Sequence, residues 1–221
     1  MDSRRLWLVI TGLISATLSM VAPGGGGAQV TTPDLADVAT SNGWTLFNRG
    51  AEERDAGVYL DARPGLGVAW FDGIRLTEGA VEVTLQGRDV PQASFLGVAF
   101  RGIDDETFEA VYFRPFNFRA SDPTARGHSV QYVAHPRHTW QRLRESSPGA
   151  YEAALTPAPD PEGPFKARIE FGGGKERVFV NGASMPCLEV AALGTGQAGR
   201  IGLWVGNNSD GQFSDLRILV P

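Results

Sequence analysis

The sequence is poor in cysteine, with Cys187 as its single thiol among 221 residues. One thiol excludes an internal disulfide, so a folded chain of this length must be stabilised by an apolar core. Cys187 follows Pro186 in an apolar segment, and we expect its thiol to be buried and unreactive. No serine or cysteine stands in a pattern typical of a catalytic nucleophile.

Positive charge is also scarce. The chain has 20 lysine and arginine residues against 25 aspartate and glutamate residues, a net charge of -5 at pH 7. An acidic chain without a basic stripe is a poor match for the phosphate backbone, so we expect no nucleic-acid partner. The sequence leaves the oligomeric state open.

Residues 1–28 have the composition of an export signal. Arg4 and Arg5 precede an apolar run over residues 6–22, and small residues follow at 26–28. Polar residues interrupt the apolar run, which favours a cleaved signal over a retained membrane span. We therefore expect a periplasmic or secreted protein without stable membrane insertion after cleavage.

Glycine and proline are abundant, with 28 and 14 residues. They separate short segments in which apolar and polar residues alternate, a pattern typical of strands. These segments are residues 58–61, 67–71, 80–86, 94–100, 107–116, 151–155, 165–171, 178–182, 185–190, 200–205 and 213–220. The spacing predicts one all-β domain over residues 44–221, a two-sheet antiparallel jelly-roll sandwich, preceded by a lead-in arm or short helix over residues 29–43.

One short surface helix is expected within residues 134–147. Pro136 can begin a turn, and Trp140, Leu143 and Arg144 fall at helical spacing. Such an element would cover part of the sandwich as a lid.

Residues 107–140 hold the densest group of polar side chains, including all three histidines. Strict alternation along the predicted strand puts Glu109 on the same face of the sheet as Val111, and puts Tyr112 and Arg114 on the opposite face. Glu109 and Arg114 could face one cleft only if a bulge or strand end near Pro115 intervened.

Several segments resemble the concanavalin A-like jelly rolls. Residues 165–170, 177–182, 199–204 and 213–218 resemble the closing strands of that fold. More narrowly, residues 44–48 and 95–101 resemble the first strand and the glycine-containing central strand of the 3-keto-disaccharide hydrolase domain family. The matched segments span most of residues 44–221, and residues 116–151 depart from the family pattern.

This resemblance implies cleavage of a glycoside whose C3 hydroxyl has been oxidised to a ketone. The ketone acidifies the C2 proton, so a base can remove it while an electrophile stabilises the enolate and the C1 oxygen leaves. The resemblance implies Glu109 or His128 as the base and Arg114, or a bound metal, as the electrophile. Each of these three residues could equally belong to a structural ion pair.

Substrate-binding candidates surround these three residues. They are Arg101, Tyr112, Asn117, Gln131, Tyr132, Trp140 and Trp204. Aromatic rings stack on sugars while amides and guanidiniums bind hydroxyls, so the same residues would serve a non-catalytic carbohydrate-binding module. Trp204 alternates with Leu203 and Val205 and is expected on the open face of its sheet. Cleavage is favoured over binding alone, and a laminin G-like interaction domain is a third alternative.

No cofactor is expected. His135 and His138 match no common zinc spacing, and a loop role is favoured for both. Calcium could bind residues 104–106 or 207–210 through loop oxygens, although residues 207–211 are also typical of a plain turn. An ordinary glycosidase pair is not expected, because Glu109 is the lone carboxylate of its strand and residues 52–55 fall in a predicted loop.

Overall fold

The computed structural model describes residues 29–55 and 57–221. The predicted export signal lies outside the described residues. No helix within the described part of the chain is long and apolar enough to cross a membrane.

The described residues form fifteen strands, three short α-helices and one 3-10 turn. The strands are β1 (Gln29–Thr31), β2 (Trp44–Phe47), β3 (Ala51–Arg54), β4 (Gly57–Leu60), β5 (Gly67–Leu76), β6 (Gly79–Gln86), β7 (Leu96–Gly102), β8 (Glu109–Phe113), β9 (Val130–Ala134), β10 (Glu152–Ala153), β11 (Phe165–Gly172), β12 (Lys175–Val180), β13 (Leu188–Ala191), β14 (Gly199–Val205) and β15 (Gly211–Val220). The helices are α1 (Ala36–Thr40), α2 (Pro123–Arg126) and α3 (Trp140–Ser146), and the 3-10 turn is Pro115–Asn117.

Two antiparallel sheets face each other. Sheet A has the order β13-β12-β11-β6-β15-β4-β3, and β1 also pairs with β15. Sheet B has the order β10-β9-β8-β7-β14-β5-β2. Neighbours such as β6 and β15 are distant in sequence, as crossover connections of a jelly roll require. The predicted all-β, two-sheet sandwich is therefore confirmed.

The layer between the sheets is made by alternation. In β11, Phe165, Ala167, Ile169 and Phe171 are buried, while the intervening residues are polar and less buried. Phe171 stacks on Phe100 of sheet B with 4.7 Å between ring centroids, so this pair joins the two layers. Removing such side chains from water stabilises the fold by about 1.5–3 kcal/mol each.

Three neighbouring strands of sheet B, β7, β8 and β9, are buried on the outer face as well. Every residue of β7, β8 and β9 is buried, a pattern that simple alternation does not produce. The outer layer consists of Val68, Trp70, Ala99, Phe108, Ala110, Tyr112, Val133, Leu143 and Trp204. Leu143 comes from α3, which thus acts as the predicted surface helix by covering part of the sheet.

One β-bulge changes the direction of a predicted site residue. Arg200 pairs with Gly102, whereas Gly202 pairs with Ala99, so one extra residue of β7 has no partner on β14. Arg101 takes a left-handed φ of 49° at this point. Its side chain therefore turns to the inner side of sheet B, whereas strict alternation from Ala99 would have put this predicted substrate-binding residue on the outer face.

One other expectation needs correction. Ala51–Arg54, which overlaps the loop predicted at residues 52–55, forms the charged edge strand β3, where the two exposed glutamates hide the strand pattern and discourage edge-to-edge association. The lead-in of residues 29–43 contains the short helix α1 and also β1, which pairs with β15. α3 lies within the range 134–147 in which one short helix was expected. α2 was not predicted, because four residues show no helical periodicity.

Glycine allows β7 to approach β8 closely. A Cβ atom on Gly97 would lie 2.1 Å from the carbonyl oxygen of Val111, which is backbone and cannot move aside without distorting the pairing. The glycines of this part of sheet B therefore serve packing rather than flexibility.

We expect Gly97→Ala to lower the free energy of unfolding by about 1–3 kcal/mol through overpacking. Urea denaturation followed by tryptophan fluorescence measures this change. Gly127→Ala is the matched control, since its φ is -58° and its nearest neighbour would lie at 3.2 Å, and it should cost less than about 1 kcal/mol. Equal denaturation midpoints for Gly97→Ala and the unmodified protein would contradict the close approach.

Candidate functional site

A cleft of about 920 Å³ opens on the outer face of sheet B. Tyr112 and Trp204 belong to β8 and β14, and their rings lie 4.8 Å apart. Trp140 of α3 contributes a third aromatic ring and is 43% exposed. A volume of this size is within the range of small-molecule and oligosaccharide sites.

Local sequence signals place the segments around the cleft. β8 ends at Phe113, and Pro115 begins the 3-10 turn because its fixed φ suits a first helical position. Asp122 caps α2 by accepting a hydrogen bond from the Thr124 N–H, and Thr139 caps α3 in the same way through the Arg142 N–H. The 3-10 turn and α2 precede β9 and α3 follows it, and all three contribute residues to the lining of the cleft.

Arg114 is the central polar group of the cleft. Its Nη2 donates to the Tyr112 hydroxyl at 2.7 Å and to Oε1 of Gln131, and its Nη1 donates to the His128 carbonyl at 2.8 Å. The Tyr112 hydroxyl donates to the same Gln131 oxygen at 2.7 Å. Burial lowers the pKa of Arg114 and raises that of Tyr112, so the guanidinium is the charged member of the group.

His128 lies beside Arg114 and touches a carboxylate. Its Nδ1 contacts Glu152 of β10, and Arg144 donates to both oxygens of that carboxylate at 2.8 and 3.2 Å. Burial and the charges of Arg144 and Arg114 lower the pKa of His128. Because this shift takes the pKa of His128 below its ordinary value of 6.5, we infer that the imidazole is neutral at pH 7.

Two further residues give the cleft hydrogen-bonding and aromatic edges. The Asn117 amide donates to the His128 carbonyl at 3.3 Å. His135 stacks on Phe108 with 4.9 Å between ring centroids, and burial lowers its pKa. His135 therefore lines the cleft as a neutral ring.

A second polar group lies on the other side of sheet B, between the two sheets. Nη1 of Arg101 donates to both oxygens of Glu109 at 3.0 and 2.9 Å and to Glu176 at 2.9 Å. The Tyr132 hydroxyl donates to Glu109 at 2.5 Å and accepts from the Leu193 N–H at 2.9 Å. Because Glu176 belongs to β12 of sheet A, this buried cluster joins the two sheets.

The predicted site residues thus divide between two places. Lining the cleft are Tyr112, Arg114, Asn117, His128, Trp140 and Trp204. Gln131 is fully buried beneath them, and Arg101, Glu109 and Tyr132 lie in the buried cluster. The cleft expected to hold Glu109 with Arg114 does not form, because no bulge separates them and their parity directs them to opposite faces.

Sequence reasoning missed two carboxylates. Glu176 occupies an inward position of β12, in line with the buried Val178 and Val180. A charged residue in line with buried apolar residues could have indicated a buried polar cluster. Glu152 lies on a strand of two residues, too short for any alternation to show its direction.

Cys187 is partly buried and donates to the Val178 carbonyl, and burial raises its pKa to about 11.

Carboxylates of the two loops considered for calcium are held by hydrogen bonds within the chain. Asp104 accepts hydrogen bonds from the Glu106 and Thr107 N–H groups, and Asp105 accepts from the Trp70 indole. In the other loop, Asp210 binds Tyr59 and Arg88. Within residues 29–55 and 57–221, no three acidic, histidine or cysteine side chains group as a metal site.

Comparison with solved structures shows that the chain has a jelly-roll fold. The carbohydrate-binding module CBM66 from Bacillus subtilis superposes with a TM-score of 0.59 at 12% identity, over 79% of this chain and 94% of that one. The carbohydrate recognition domain of Emp46p gives 0.55 at 14% identity, over 85% and 94%. A candidate glycosyl hydrolase from Parabacteroides distasonis gives 0.52 at 10% identity, over 85% and 92%.

Neither a protein-family model nor a curated protein matches the sequence. The structure comparisons confirm the resemblance to concanavalin A-like jelly rolls as a resemblance of fold. The narrower resemblance to the 3-keto-disaccharide hydrolase domain family is not confirmed by these comparisons.

Glu176 makes the stability of the sandwich depend on pH. Burial raises the pKa of its carboxyl from 4.5 to about 7, even though Arg101 opposes the shift. A folded state that holds the proton more tightly is stabilised at low pH, and this stabilisation is lost as the pH rises from about 4.5 through about 7. We expect the loss to be on the order of 1–3 kcal/mol.

Glu176→Gln should abolish that decline, because the amide does not titrate. The measurement is the free energy of unfolding in urea for both proteins at about pH 5 and about pH 8. His128 and His135 contribute an opposite slope in both proteins, which cancels in the difference. A difference between the two proteins that is the same at both pH values would show that Glu176 does not titrate in this range.

Proposed function

We propose that this protein binds a glycan in the cleft on the outer face of sheet B. The observation that carries the proposal is the convergence of aromatic rings and hydrogen-bonding groups in one cavity of about 920 Å³. Trp140 offers an exposed ring, Tyr112 and Trp204 line the cleft with aromatic surface, and Arg114 and Asn117 offer donors. Sugars are bound by this combination, because their C–H faces stack on aromatic rings while their hydroxyls need partners.

The fold neighbours support the proposal. One is described as a carbohydrate-binding module and another as a carbohydrate recognition domain. The cleft also has convergent polar groups, which an interaction surface of the laminin G type would not require. We therefore favour glycan binding over a protein-interaction domain.

Binding is now favoured over cleavage because Glu109 is outside the cleft. Both of its oxygens accept hydrogen bonds from Arg101, and Tyr132 donates to one of them. A carboxylate held in this way between the sheets cannot reach a sugar on the outer face without breaking the cluster. Glu109 supports the sandwich in this proposal.

Trp140→Ala should weaken binding of a glycan ligand by at least about tenfold, which corresponds to about 1.4 kcal/mol of lost stacking. The ligand is first identified on an array of neutral and acidic glycans, and its affinity is then measured by titration calorimetry. The melting temperature should change little, since Trp140 is 43% exposed. Ile103→Ala is the control, because Ile103 is 41% exposed and does not line the cleft. Unchanged affinity in Trp140→Ala would contradict this site.

Cleavage of a 3-keto-glycoside is the second candidate, and one observation favours it. His128 and Arg114 line the same cleft, so a neutral imidazole and a guanidinium are available together. His128 would take the C2 proton, and Arg114 would stabilise the enolate oxygen. The C1–O bond would then break, the departing oxygen would receive the proton from His128, and water would add across the C1–C2 double bond.

Incubation with 3-keto-glucosides and with unmodified glucosides tests this candidate. If it is correct, the unmodified protein releases the aglycone from the 3-keto substrate alone, and His128→Gln lowers the rate by about 100-fold or more. Glu109→Gln should lower the melting temperature and leave the rate per folded molecule nearly unchanged. Absence of release from 3-keto substrates, together with measurable glycan binding, would exclude cleavage and leave the binding proposal intact.

A further inference from the structure

The cleft carries more positive than negative charge, although the whole protein has a net charge of -5. Among its lining residues Arg114 and Arg144 are cations and Asp122 is the carboxylate. Arg144 is paired with Glu152. Asp122 caps α2, where it accepts from the Thr124 N–H. Every hydrogen bond of the Arg114 side chain within the described part of the chain goes to a neutral group, so no carboxylate there forms an ion pair with it.

A buried guanidinium without a counter-ion is costly. Arg114 is only 4% exposed, and its partners, the Tyr112 hydroxyl, the Gln131 amide and the His128 carbonyl, are all neutral. Arg101, buried to a similar degree in the other cluster, has two carboxylates. Arg114 therefore differs from Arg101 in having its charge uncompensated at the wall of a cavity.

Hydrogen-bond donors are also left over at this place. Three of the five N–H groups of Arg114 have acceptors, and Nε and one hydrogen of Nη1 have none among residues 29–55 and 57–221. The indole Nε1 of Trp204, another lining residue, is buried without an acceptor in the same described ranges. Surplus donors around an uncompensated cation suit a ligand that supplies both acceptor oxygens and negative charge.

We propose that the glycan bound in this cleft is acidic, and that its carboxylate or sulfate group binds Arg114. This inference rests on the proposed glycan binding and names its ligand class. The charged group of the ligand replaces the missing counter-ion, while the sugar ring contacts the aromatic side chains. Arg114 is then the residue that selects acidic over neutral sugars, because a neutral hydroxyl would leave the charge uncompensated.

Matched pairs of polysaccharides test the inference on the unmodified protein. Polygalacturonate, alginate and glucuronoxylan are each compared with their carboxyl-reduced forms, and a sulfated galactan with its desulfated form. Neutral glucans, mannans and fructans complete the panel. We expect at least one acidic member to bind about tenfold or more tightly than its neutral counterpart. Raising sodium chloride from about 50 to about 500 mM should weaken that binding.

The variant Arg114→Gln should remove the preference, whereas Arg54→Gln, which deletes the same charge from an exposed edge of sheet A, should retain it. If Arg114→Gln fails to fold, the matched pairs still decide the question. Equal affinity for the charged and neutral members, or binding of neutral glycans alone, overturns this inference and leaves glycan binding in place. Absence of binding across the whole panel overturns the proposed function and this inference together.

Discussion

Strands β7, β8 and β9 of sheet B are buried on both faces, and this constraint determines where each of their polar side chains can lie. A strand directs successive residues to opposite faces, so a polar residue in β8 or β9 must be satisfied either between the sheets or in the outer layer. Both solutions occur. Glu109 and Tyr132 bind Arg101 on the inner side, whereas Tyr112 and Gln131 bind Arg114 on the outer side.

The two polar groups have different environments and therefore different consequences. The inner group has two carboxylates for one guanidinium and is enclosed by both sheets, so it contributes to how the layers associate. The outer group has one guanidinium held by neutral partners at the edge of a cavity. A single residue step along β9, from Gln131 to Tyr132, separates the outer group from the inner group.

Much of the fold could be predicted from the sequence, because alternation in segments such as Phe165–Gly172 states directly which side chains are buried. Alternation also placed Trp204 on the outer face correctly. Arg101 could not be placed, since a bulge depends on pairing with a strand about a hundred residues away. Glu176 was missed because its partner Arg101 lies on a distant strand, and Glu152 was missed because a strand of two residues shows no alternation. Short helices such as α2 leave no periodic pattern. Site residues are harder to predict than strands because they depend on such long-range pairings.

The position of β15 affects the order in which the chain can fold. Its residues pair with β6, β4 and β1, so the last described strand lies inside sheet A rather than at its edge. Until those ten residues are synthesised, β4 and β6 lack a common neighbour and sheet A is divided into two separate ladders. Stable closure of the sandwich must then follow synthesis of residues 211–220, and earlier intermediates present open strand edges that a chaperone could recognise.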